Sequence, residues 1–203
     1  MFIIDGTLCN FYPTSRYRRK NTLKHLSKEE ILEEIRLIEQ AKKEPKLFGV
    51  LYKRYYAEIV NFVYSKVREE STTHDIAQQI FIKAMDNLPK YQFKGVPYIA
   101  FLYRIASNEC NSYFRSQKKQ RGISIDSESC KTIAYEVDEV KTDFTPLLLS
   151  VLEQLSEDEV EFIELKYFEN CSVKEMSYIL KLSESNIKVK GHRLLKKIKQ
   201  LIN

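Results

Sequence analysis

The chain has 203 residues, 33 Lys and Arg against 28 Asp and Glu, and a formal net charge of +5; that length holds one large or two small domains, with apolar residues enough for a core in each. Few Gly and Pro, together with abundant Leu, Ile, Lys and Glu, point to an all-helical protein. The cysteines Cys9, Cys110, Cys130 and Cys171 show no CxxC or Cys/His ligand spacing, which excludes a zinc site or a disulfide framework and reads as reduced thiols of a cytosolic protein.

Membrane insertion is not expected, because no apolar run approaches the ~20 residues of a span. The opening MFIIDGTLCNFYP has too short an apolar stretch, with its basic cluster behind it, to be a secretory signal. Residues 1–26 form a poorly patterned lead whose Arg16, Arg18, Arg19 and Lys20 suit a solubilising tail or a phosphate contact equally. Ser27 with Glu30 is a capping box that opens a helix running to about Lys43. Pro45 marks a break, and the next helix carries Phe48, Leu51, Tyr52, Tyr55, Ile59, Phe62 and Val63 as a core stripe. A third helix, Thr73 to Leu88, turns Ile76, Ala77, Ile80, Ala84 and Leu88 inward and Asp75, Gln78, Gln79, Lys83 and Asp86 outward. The loop PKYQFKGVP, Pro89 to Pro97, then stops the helix.

The fourth helix, from about Tyr98 to Lys119, has two stripes. Ile99, Leu102, Ala106, Cys110 and Tyr113 make a buried one; Phe101, Arg104, Asn108, Asn111, Arg115 and Lys118 recur at steps of three and four and make a polar one. Cations at that spacing, with Tyr91, Phe93, Tyr98 and Phe101 nearby, suit single-stranded nucleic acid, the charges tracking phosphates and the rings accepting unstacked bases. A solvated surface face accounts for the charges equally well and for the aromatics less well.

From Gly122 to Thr145 periodicity disappears, and six acids face two lysines. This stretch reads as a flexible acidic linker between domains at 27–121 and 146–203. Its 24 residues reach at most ~80 Å when extended, more than the ~34 Å of one DNA turn. Pro146 opens the C-terminal domain, and Ser156 with Glu159 starts a helix burying Val160, Phe162, Ile163 and Tyr167, with Glu157, Asp158, Glu159, Glu161, Glu164 and Glu169 outside. Ser172 to Lys199 then forms a helix-turn-helix. Ser172 and Glu175 cap its first helix, which has Val173, Met176, Ile179 and Leu180 on one face; Lys181-Leu182 turn; Ser183 caps the second. Ile187, Leu194 and Ile198 lie inside that second helix, and residues 181 to 200 hold seven Lys and Arg against one acid. Such a helix fits the major groove, with base-reading positions Ser185, Asn186, Lys188 and Lys190 in its first two turns and Arg193 and Lys197 on phosphate.

In order and spacing, FGVLYKRYYAEIVNFVYSKV, DIAQQIFIKAM and PYIAFLYRIASNECNSYFR resemble the second conserved region of bacterial sigma-70-class RNA polymerase sigma factors. LEQLSEDEVEFIELKYFENCSVKEMSYILKLSESNIKVKGHRLLKKI resembles their fourth, and the combination is that of the small extracytoplasmic-function group. The resemblance covers roughly Leu47 to Arg121 and Leu148 to Leu201. It implies two helical domains, a region 2-like bundle and a region 4-like helix-turn-helix, in a cytoplasmic factor that directs promoter recognition, melting and initiation. It further implies that Asp75, Gln78 and Gln79 dock on the clamp helices of the largest polymerase subunit. Phe93, Phe101, Arg104, Asn108, Asn111 and Arg115 would handle the melted minus-ten strand. Ser185, Asn186, Lys188, Lys190, Arg193 and Lys197 would read the double-stranded minus-thirty-five element. An anti-sigma factor is a further implied partner; no cofactor or metal is implied.

The chain departs from the family pattern at several positions. Phe101 stands where Trp is usual, Ser107 where Arg is, and Ser112 where Asp is. In the recognition helix Gly191 replaces a large apolar residue and Leu194 a small one, which reads as a swap of core volume on the inner side. Two other classes compete with the sigma reading. A regulator that binds duplex DNA without polymerase would share the helix-turn-helix but needs neither the DIAQQIF helix nor the aromatic loop. A nuclease would need a carboxylate or histidine cluster, and His25, His74 and His192 sit on separate elements. The chain is therefore expected not to be an enzyme and to have no catalytic residues.

Overall fold

Ser27 opens the first helix as its spacing predicts: its Oγ accepts from Glu30 N at 3.1 Å, and the Glu30 carboxylate takes the Ser27 N–H at 2.7 Å. The structure, a computed structural model, describes residues 26–117, 132–133, 150–152 and 154–202. The N-terminal lead, Lys118, the Pro146 helix start and all of the acidic linker but Thr132 and Ile133 lie outside the described residues. Helix α1 spans Lys28–Lys43, α2 Phe48–Val67, α3 Glu70–Asn87 and α4 Tyr98–Gln117. In the C-terminal domain α5 spans Glu157–Ile163, α6 Val173–Leu180 and α7 Glu184–Ile202. Among the described residues there is no strand.

Helix α2 ends where Arg68 adopts a left-handed conformation (φ 58), and α3 begins two residues later, upstream of the expected Thr73. Glu70 in its first turn suits the positive end of the helix dipole, and Thr73 is already internal, its Oγ1 donating to Glu69 O at 2.7 Å. The expected inward residues of α3 are all buried. Helices α2, α3 and α4 pack on one another in a three-helix core, and α1 lies across α2.

A buried carboxylate ties this bundle together. Glu34 sits on α1 in line with Ile38 and Ala41 and is fully buried. It accepts the Tyr55 hydroxyl of α2 and, at 2.8 Å, the backbone N–H of Tyr98. Tyr98 is the first residue of α4, so Glu34 satisfies one of the orphan donors that every helix start carries. Burial pushes the Glu34 carboxyl above its ordinary range, while the two hydrogen bonds pull it back.

The C-terminal domain departs from a plain helix-turn-helix after α5. Glu164–Phe168 winds as a wider π turn, with Glu169 N donating to Glu164 O and Cys171 N to Leu165 O, both at 2.9 Å. The widened turn buries Glu164, Leu165, Tyr167 and Phe168 together. Glu161 and Glu164, expected on the outside, are both buried. The capping boxes at Ser156 and Ser172 form as predicted. Lys181 ends α6 in a left-handed conformation (φ 56). Ser183 caps α7, its Oγ accepting from Asn186 N at 3.2 Å.

Gly191 is explained by its neighbour. A Cβ there would stand 3.2 Å from the Phe162 ring, so the volume missing from the helix is filled by a side chain of α5. Leu194 is buried on the same side, but it is Phe162 that meets Gly191.

The Glu34 bridge generates a stability prediction. Glu34→Ala strands two buried donors and is expected to cost about 2–4 kcal/mol. Glu34→Gln keeps an acceptor for Tyr98 N–H and offers Tyr55 a donor, and should cost about 1 kcal/mol or less. Urea denaturation of the full chain measures both, and equal losses would show that the amide does not replace the carboxylate in holding the two donors.

Candidate nucleic-acid interface

On α3, Asp75, Gln78 and Gln79 are all exposed while Ile76, Ala77 and Ile80 behind them are buried. Asp75 and Gln79, one turn apart, line an open groove of about 360 Å³ with Thr72, Glu109, Ser112 and Tyr113 between α3 and α4. Gln78 lies beside the groove and not in it. Lys83 pairs with Glu109 across the two helices at 2.6 Å. The first three-residue set is thus brought to one surface.

The second set is divided. Phe93 is 40% exposed on the loop before α4. Gly95 in that loop takes φ +75, and the Lys174 ammonium of α6 lies where a Cβ would be. Phe101 is buried, with Tyr91 and Tyr98 rings 5.0 and 5.4 Å from its own. It belongs to an aromatic cluster and not to an open polar stripe. Arg104 is half-buried, its guanidinium 4.6 Å from the Tyr178 ring of α6 and 5.8 Å from Phe101. Asn108 and Arg115 are exposed, and Asn111 is half-buried. The stripe is therefore open at its C-terminal end and covered by the C-terminal domain at the other.

The cover is held by charge. Lys66 of α2 and Glu164 of the π turn form an ion pair with side chains 0% and 5% exposed, and the Lys66 ammonium also lies 4.5 Å from the Phe62 ring centre. Tyr103 of α4 donates to Glu169 at 2.7 Å. Burial, with the Glu169 charge beside it, pushes that phenol well above its ordinary value. Tyr98 to Tyr103 are buried on every side because α4 runs between its own bundle and α6.

The third set lies on α7, whose inner face is Ile187, Gly191, Leu194 and Ile198. Ser185, Asn186, Lys188 and Arg193 are exposed, and Lys190 is half-buried, its ammonium 6.0 Å from the Phe162 ring. Lys197 is not a free cation: it donates to both oxygens of Glu159, at 2.9 and 2.7 Å. Partial burial raises the Glu159 carboxyl, but Lys197 and the Ser156 cap outweigh it and hold the group below the ordinary carboxylate value. Lys197 thus pins the far end of α7 to the start of α5.

Three elements therefore carry the expected surfaces, in the order of two conserved regions. The Sigma-70 region 2 family model matches residues 51–120 and the Sigma-70 region 4 model residues 146–198. The chain belongs to the sigma-70 family. Several relatives are ECF RNA polymerase sigma factors by name. The ECF RNA polymerase sigma factor SigM of Bacillus subtilis is 26% identical over 159 residues, 75% of this chain and 93% of the relative. The RNA polymerase sigma factor YlaC of the same organism is 28% identical over 155 residues, 74% of this chain and 88% of the relative. Among solved structures, CnrH in complex with the cytosolic domain of CnrY shares the fold. It aligns over 83% of this chain and 96% of that one, with a TM-score of 0.56 and 20% identity.

This sigma factor directs transcription initiation at promoters, with RNA polymerase and promoter DNA as its partners. No helix among the described residues is long and apolar enough to cross a membrane. Sequence reasoning missed the residues that join the domains, although each left a signal. Lys66 continues the apolar stripe of Ile59, Phe62 and Val63. Glu34, which joins helices within the N-terminal bundle, does the same on α1. The run YIAFLY at Tyr98–Tyr103 is apolar all round, the pattern of a helix buried on every side.

Removing one partner from a buried ion pair leaves the other charge stranded, at a cost of about 3–5 kcal/mol. Lys66→Met is therefore expected to separate the domains and enlarge the radius of gyration in small-angle scattering. Lys66→Met with Glu164→Leu should restore the compact form. A Lys66→Met chain as compact as the parent would show that the pair does not hold this seam.

Proposed function

We propose that this sigma factor takes core polymerase through the outer face of α3, with Asp75, Gln78 and Gln79 on the clamp helices of the largest subunit. The support is their joint exposure over a well-packed inner face, beside an open groove. The melted minus-ten strand runs along the C-terminal half of α4, where Asn108, Asn111 and Arg115 supply hydrogen bonds and charge and Phe93 supplies a ring for a base. Arg104, and Phe101 beneath it, join that surface once α6 lifts from α4. Helix α7 enters the major groove of the minus-thirty-five element, Ser185, Asn186, Lys188 and Lys190 facing base edges and Arg193 facing phosphate. Lys197 reaches phosphate only by leaving Glu159. The factor works in the cytoplasm and is no enzyme: bond formation belongs to the polymerase. An anti-sigma factor, as the resemblance implies, would hold it inactive.

The observation that carries this reading is α7 itself, a helix capped at Ser183 whose outer face is basic while its inner face is locked on Phe162. Run-off transcription with purified core polymerase on genomic fragments tests the whole. Discrete transcripts that depend on the chain are expected. Duplex binding without any such transcript would favour the regulator reading.

Two variants test the parts. Asp75→Lys with Gln78→Ala should weaken binding to core polymerase by about tenfold or more, equal to about 1.4 kcal/mol, and leave thermal stability unchanged. Co-elution with core enzyme at parental affinity would remove α3 from the interface. Asn108→Ala should slow open-complex formation, read by permanganate reactivity of the minus-ten thymines, and spare closed-complex binding, because strand contacts form only after bases leave the duplex. Equal loss in both steps would place Asn108 on duplex DNA instead.

A further inference from the structure

We propose that Val189 is a specificity-determining residue of the recognition helix, packing its methyl groups on the C5-methyl of a thymine in the minus-thirty-five element. This inference rests on the sigma-factor reading above and adds a residue and a base to it.

Among the described residues, Val189 is one of few large apolar side chains that the fold leaves in solvent, at 47% exposure. Its place on α7 is specific. The helix buries Ile187, Gly191, Leu194 and Ile198, and at about 100° per residue Val189 points roughly 200° away from Ile187, the middle of the outward face. Ser185 precedes it by one turn on that face, and Arg193 and Lys196 follow it by one and two turns. Asn186 and Lys188 flank it. All five are exposed, and all are polar. A β-branched residue is no asset to an exposed helix position, and Val189 is no part of the core cluster.

The chemistry of the groove supplies a use for it. In the major groove each base pair presents hydrogen-bond donors and acceptors, and thymine alone presents a methyl group. A central apolar side chain among polar ones is placed against base edges while Arg193 and Lys196 reach outward to the phosphates. A valine in that position gains nothing from a donor or acceptor and gains burial from a methyl. The residues at Ser185 and Asn186 then read polar edges, and Val189 reads the apolar one.

Deoxyuridine differs from thymidine only by that methyl group, which makes the test direct. Holoenzyme is assembled from the full chain and core polymerase on a promoter found by run-off transcription. Each thymine of the minus-thirty-five element is then replaced in turn by deoxyuridine, and binding is titrated. For the parent, one replacement should weaken binding by about fourfold, the worth of one buried methyl group. The same replacement should cost the Val189→Ala holoenzyme nothing, and Val189→Ile should keep the discrimination. The salt dependence of binding should be unchanged in Val189→Ala, since no phosphate contact is lost. The proposal is overturned if no deoxyuridine position weakens the parent, or if the loss persists in Val189→Ala. Failure of the unmodified promoter to give any chain-dependent transcript would instead overturn the sigma-factor reading, and this inference with it.

Discussion

Lys66 and Glu164 meet where neither has access to water, one from the second helix of the N-terminal bundle and the other from a π turn in the C-terminal domain. Taking two such ions out of water costs several kcal/mol each. Their attraction offsets that cost only while both are present and well placed, and the Phe62 ring adds a cation–π contact on the Lys66 side. The pair therefore acts as a condition on domain geometry: satisfied in one arrangement, costly in any other that leaves either charge buried. Because each ion regains water when the seam opens, docking at this point is reversible where a purely apolar seam would resist separation.

What the pair positions is α4. Glu34 fixes the start of this helix from one side and α6 covers it from the other, so that its first two turns are core for both domains at once. The same helix carries the residues proposed to meet the melted strand. Arg104 is held between an aromatic ring of its own domain and Tyr178 of the other, a site that a base or a phosphate would compete for. In the free chain, then, the N-terminal end of the α4 stripe is completed by protein rings; on a promoter Arg104 is proposed to face nucleic acid instead.

Capping chemistry and apolar spacing made most of the helices legible in the sequence. Ser27, Ser156 and Ser172 each stand three residues before a Glu, and each forms the reciprocal bonds expected. The recognition helix was legible for the same reason, and Gly191 was readable as a volume exchange although Phe162 was not foreseen as the residue that fills it. The seam was not read. A polar residue in an apolar stripe, such as Lys66 or Glu34, looks like an imperfection until its partner is known, and the partner of Lys66 lies 98 positions away. Glu164 looked like one acid among many on an exposed face, although it stands one turn after Val160 and three residues before Tyr167, in line with that apolar stripe. The partner of Lys197 was missed for a related reason, since periodicity places a charge on a face but does not reveal that Glu159 already holds it.

The central claim is that one face of α4 is shared between the C-terminal domain and DNA. Spin labels on exposed positions of α2 and α7 measure it most directly, by the distance between them in the free chain and in holoenzyme bound to promoter. The account predicts a single short distance in the free chain and a longer one on the promoter, with α6 withdrawn from Arg104 while α7 lies on the upstream duplex. An unchanged distance in the promoter complex would contradict it.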